Sequence, residues 1–102
     1  MAKTGAYPDL VVGRGGNTLA DGGGTAGSVA SLIAANLQRA GVWVHNNGSS
    51  TDTVFLGATA VAAGTGMKLA AGESVYLETT AEIFFVAGVG TPVVSYLEIS
   101  QA

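Results

Sequence analysis

Gly41-Val42-Trp43-Val44-His45-Asn46-Asn47-Gly48-Ser49-Ser50-Thr51-Asp52-Thr53-Val54-Phe55-Leu56-Gly57 reads as strand, turn, strand. Successive side chains of an extended segment point to opposite faces, so Val42 and Val44 share one face and Trp43 and His45 the other. Asn46 to Ser50 are residue types that tolerate positive φ and bond to their own backbone, which ends the first strand. Thr53 to Gly57 then supplies the next one.

The same rhythm extends toward the C-terminus. Val61 lies in an Ala-rich stretch that either continues the second strand or forms a loop. Gly64-Thr65-Gly66 turns the chain into Met67-Lys68-Leu69, and Ala71-Gly72-Glu73 makes a second turn. Ser74 to Glu78 alternates, with Val75 and Leu77 expected inside and Tyr76 and Glu78 outside. Ile83-Phe84-Phe85-Val86 is continuously apolar, as in a central strand covered on both faces. Gly88, Gly90 and Pro92 close it. In the last strand, Val93 to Ile99, the spacing groups Ser95, Leu97 and Ile99 on one face and turns Tyr96 and Glu98 outward. Short apolar runs about ten residues apart, separated by turn residues, predict an all-β fold. The expected architecture is a small antiparallel β-sandwich, jelly-roll-like or Ig-like.

Upstream the composition changes. Residues 1–27 hold Gly5, Gly13, Gly15, Gly16, Gly22, Gly23, Gly24 and Gly27, with Tyr7, Leu10, Val11, Val12 and Leu19 as the large apolar exceptions. This predicts an extended Gly-rich N-terminal arm over 1–27, ahead of a sandwich domain over 28–102. The arm is either a plain terminus or a segment that becomes ordered along a neighbouring subunit, with Leu10-Val11-Val12 as an added strand. Between the parts, Val29, Leu32, Ile33 and Leu37 fall at helical spacing, with Ser28 as a cap and Gly41 as a stop. The residues themselves favour a helix over 28–40.

At 102 residues the chain is of single-domain size, with a thin core and no cysteine to stiffen it by disulfides or thiolate metal sites. Charged residues make up 11% and the net charge is −3. Lys3, Arg14, Arg39 and Lys68 are scattered, whereas nucleic-acid binding needs several cations on one surface. No apolar run approaches the roughly 20 residues of a membrane span, and the start has no signal-peptide layout. A chain made in the cytoplasm, with no nucleic-acid or membrane partner, is expected. Such sparse charge suggests that something other than water covers part of the surface.

The chemistry of catalysis is thin. His45 is the sole histidine, and the strand pattern puts no acid beside it. Asp9, Asp21, Asp52, Glu73, Glu78, Glu82 and Glu98 are dispersed, which argues against a metal site. Glu78 and Glu82 read as solvated charges flanking the turn Thr79-Thr80-Ala81, not as a glycosidase pair. Val12-Gly13-Arg14-Gly15-Gly16-Asn17-Thr18 lacks the Lys-Ser/Thr ending of a phosphate loop and the third glycine of a dinucleotide fingerprint. No catalytic, cofactor-binding or metal residues are expected. Trp43, the only tryptophan, is expected in the core, with a subunit interface as the alternative. Tyr76 and Tyr96 are candidates for subunit contact or for stacking on sugar.

Residues 34–99 resemble a family of small bacteriophage virion proteins. Ala34-Ala35-Asn36-Leu37-Gln38-Arg39 is similar to its "A-x-N-x-x-R" turn, which precedes a strand ending in Asn, here Gly41 to Asn47. Val54-Phe55-Leu56-Gly57 is similar to its "vYLG" strand, and Gly66 to Val75 to its "G-hydrophobic-x-L-x-x-G-x-S" segment. Glu82 to Val86, Gly88 and Val93 to Ile99 resemble its closing hairpin. The chain departs from the pattern in having no proline in the Asn36-to-Arg39 turn. The resemblance implies a strand ending near Ala34 in place of the helix. It also implies a capsid decoration or cement protein on the virion surface, bound to the major capsid protein and to itself as a homotrimer. Tyr7, Leu10, Val11, Val12 and Arg14 are then the expected capsid contacts, and Trp43, Tyr76 and Tyr96 the expected subunit contacts. The alternative is a tail or fibre module that recognises a host-surface glycan.

Overall fold

The computed structural model describes residues 17–101. They form eight strands: β1 (Asn17–Thr25), β2 (Ala30–Ile33), β3 (Arg39–Asn46), β4 (Thr53–Gly57), β5 (Met67–Ala70), β6 (Ser74–Leu77), β7 (Ile83–Val89) and β8 (Val93–Gln101). One sheet has the order β1-β8-β3-β6 and the other β2-β7-β4-β5. Every neighbouring pair is antiparallel. The first strand pairs with the eighth, the second with the seventh, the third with the sixth and the fourth with the fifth. That is one long hairpin folded over on itself, so of the two expected sandwich types the strand order fits the jelly roll.

The core lies between the sheets. Val42, Val44 and Val94 of the first sheet meet Ile33, Val54, Leu56, Leu69, Ile83 and Phe85 of the second. Each fully buried aliphatic or phenyl side chain contributes about 1.5–3 kcal/mol from burial. The predicted alternation of β3, with Val42 and Val44 inside, and of β6, with Tyr76 outside, holds. β7 is an inner strand of its sheet, but it is not covered on both faces: Ile83 and Phe85 are buried in the core, whereas Phe84 and Val86 on the outer face are only half-buried. Val61 is buried in a loop.

Residues 28–40 contain the short strand β2 and a turn before β3, with no helix. Ile33 is buried, and β2 pairs with β7 across a register shift. A helix here would leave β7 without its neighbour on that side.

Three expectations need correction. Residues 17–25 are not arm: β1 pairs with β8 along its whole length, from Asn17 opposite Gln101 to Thr25 opposite Val93. Its glycines accommodate aromatic rings, since Gly22 lies against the Tyr96 phenol and Gly24 against the tip of Phe85. The other expected arm residues, Tyr7, Leu10, Val11, Val12 and Arg14, lie outside the described residues.

The phase of β8 is the reverse of the expected one. Val94 is buried, Tyr96 packs against the core, and Leu97 is exposed. A polar pair misled the pattern, because Glu98 faces inward to meet a buried arginine. Trp43 is not a core residue: its side chain lies on the outer face and is 49% exposed.

Candidate functional site

The jelly-roll path collects the loops at two ends. One end carries the 34–38, 58–66 and 78–82 loops, together with Asn17 and Gln101 where β1 and β8 meet. Arg39 organises it. Its guanidinium is fully buried, and Nε donates to Glu98 Oε2 at 2.7 Å. Nη1 donates to the carbonyls of Thr79 (2.8 Å) and Ala81 (2.9 Å), and Nη2 to that of Ala34. A planar, permanently charged fork can serve four acceptors at once, which a lysine cannot.

Asn36 completes the fastening. Its backbone N–H donates to Thr80 O at 2.9 Å, its Oδ1 accepts from the N–H of Gln38 at 2.9 Å, and its Nδ2 donates to Ser100 Oγ at 2.9 Å. The 34–38 loop is thus tied to both the 78–82 loop and β8. At its tip stands Leu37, 87% exposed. The same end opens into an apolar cleft of about 260 Å³ between the sheets, walled by Leu56, Met67, Leu77 and Ile83 with Glu82 at its lip. An apolar cleft at the same end of the sandwich that exposes Leu37 suits contact with a protein surface.

The second surface is the outer face of the β1-β8-β3-β6 sheet. Register places Tyr76, Trp43 and Leu97 side by side on β6, β3 and β8, with Asp21 of β1 ending the row. The Trp43 and Tyr76 rings touch, with centroids 4.9 Å apart and planes tilted by 46°. The Tyr76 hydroxyl hangs over Gly41, where any Cβ would collide with it. One step along the strands, Ser74, His45 and Ser95 form the next row. His45 Nδ1 lies 2.6 Å from Ser74 Oγ, and Asn47 Nδ2 donates to Ser95 Oγ at 2.7 Å.

Of the expected subunit-contact residues, the structure brings Trp43 and Tyr76 together and puts Tyr96 on the opposite face of the sheet. His45 pairs with a hydroxyl, and no group of three His, Cys, Asp or Glu side chains fit to hold a metal occurs among the described residues. Sequence reasoning missed Leu37 and the strip formed by Ser74, Ser95 and Asn47. Register alone reveals the strip, since its members are distant in sequence. Comparison with known protein families, with curated proteins and with solved structures returns no match to this chain.

Proposed function

We propose that the chain is a structural virion protein, a decoration or cement protein that binds the outer surface of a shell of major capsid protein and stabilises it. It works through shape and contact area, without catalysis, and its copies associate as homotrimers. The observation that carries this reading is Leu37, a large apolar side chain presented on a loop that Arg39 and Asn36 hold rigid. A preorganised anchor avoids the ordering cost that a mobile one meets on binding. The ordered resemblance of residues 34–99 to small phage virion proteins supports the same assignment, and the low charge of the chain suits close packing of many copies. Repetition on a lattice multiplies a modest contact through multivalency.

Cosedimentation with purified expanded capsids tests it. Saturable binding at a fixed ratio of chain to capsid subunit is expected, with no binding to host cells. Leu37→Asp is expected to weaken capsid binding at least tenfold while thermal unfolding is unchanged. Absence of capsid binding by the unaltered protein would overturn the assignment.

A further inference from the structure

We infer that the outer face of the β1-β8-β3-β6 sheet is a binding site for a neutral saccharide, with Trp43 as its stacking platform. This goes beyond the decoration role and does not depend on it, because the face is separate from the Leu37 end.

A sugar ring has an apolar C–H face and a rim of hydroxyls, and this surface matches that division. Trp43 sits at the middle of the apolar row, half exposed, with Tyr76 tilted against it. Tyr76 in turn settles over Gly41, so the pair has a fixed shape before any ligand arrives. Aromatic platforms of this kind supply large contact area for little loss of side-chain entropy.

The polar row lies two residues along each strand, about 7 Å away. That is close enough for one ring to stack on the indole while its hydroxyls reach the row. Each polar member already makes one bond that orients it and keeps another function free. His45 uses Nδ1 on Ser74 and leaves Nε2. Asn47 uses Nδ2 on Ser95 and leaves Oδ1. Donors and acceptors of this mixed, uncharged type suit hydroxyl groups.

Charge selects the class of sugar. Of the described cations, Arg39 is buried in its clasp and Lys68 belongs to β5 of the other sheet. No described lysine or arginine faces this surface, and Asp21 ends the row, so an anionic sugar or phosphate meets no counter-charge. A second copy of the chain is the competing occupant, since Leu19 and Val93 are exposed on the same face. It would have to bring matched partners to the polar row, which a saccharide's hydroxyls supply themselves.

Trp43 is the only tryptophan, so its emission reports on this face alone. The test titrates the full chain with neutral oligosaccharides built from glucose, galactose or N-acetylglucosamine, and with sialylated and sulfated counterparts. At least one neutral sugar is expected to shift the emission saturably. Calorimetry with that sugar is expected to show at least tenfold weaker binding in Trp43→Ala, and several-fold weaker binding in His45→Ala. Both variants should keep the unfolding temperature and the capsid binding of the parent. No shift with any neutral sugar, or stronger binding of the anionic counterparts, overturns the inference. So does an emission change on dilution of the protein alone, which would show a second copy covering the face.

Discussion

A guanidinium with no solvent exposure is stable only if all around it is arranged to receive it, because moving a charge out of water costs several kcal/mol after relaxation. Arg39 meets that condition with one carboxylate and three carbonyls. Its carbonyl partners come from two different loops, so the residue fixes where the 34–38 and 78–82 segments sit. Arg39→Met is therefore expected to destabilise the fold by about 3–5 kcal/mol, as for removal of one member of a buried pair. Arg39→Lys should recover only part of this, since an ammonium cannot span the same acceptors. Urea unfolding measures both, and a loss below about 1 kcal/mol for Arg39→Met would show that the clasp is not structural. The Asn36-to-Arg39 turn was expected from the family resemblance and not from the residues, whose spacing favoured a helix. The burial of Arg39 was not legible either, because nothing local to the turn names Glu98, its partner 59 residues away. The same long-range pair explains why the face of β8 was misread: a charged residue normally marks the wet side of a strand, and here it marks the dry one.

Composition favours a flexible arm at the start of the chain, and pairing overrides it at β1. Glycine weakens an isolated strand through backbone entropy. Gly22 and Gly24, however, lie where Tyr96 and Phe85 need room, so their missing side chains are replaced by rings from elsewhere in the fold. Gly22→Val is expected to displace the Tyr96 ring and cost about 1–3 kcal/mol, the usual range for overpacking. A value near zero in urea unfolding would mean that Tyr96 moves aside freely. The truncation series follows from the same geometry. Removal of residues 1–16 keeps the eight strands of the described residues and is expected to keep a cooperative thermal transition. Removal of 1–27 strips β1 from β8 and leaves β8 as a nine-residue edge, which should bring aggregation and a lower transition temperature. Strand rhythm was legible from Val42 onward because turn residues and alternation agree there. Residues 28–40 were not legible from local pattern, since helical spacing and a four-residue strand compete and only pairing with β7 decides between them.

For the molecule as a whole, the jelly-roll path separates the two candidate surfaces. The Leu37 end belongs to the loops at the Asn17–Gln101 end, while the Trp43 ledge lies on a sheet face between the edge strands β1 and β6. Only part of the ledge was legible in the sequence: alternation put Tyr76 on an outward position, whereas Trp43 was expected in the core and lies on the outer face, and their side-by-side register was not legible at all. Neither surface is part of the buried core, so altering one should leave the other and the fold intact. Distant, independent sites combine additively to within about 0.5 kcal/mol. Leu37→Asp is accordingly expected to weaken capsid cosedimentation without changing sugar-dependent Trp43 emission, and Trp43→Ala to weaken sugar binding at least tenfold without changing cosedimentation. The double variant should show both losses at their single-variant sizes, with an unfolding temperature close to the parent's. Loss of capsid binding in Trp43→Ala would place the ledge within the capsid contact, and with the sheet face covered by the shell the saccharide assignment could not stand on the assembled particle.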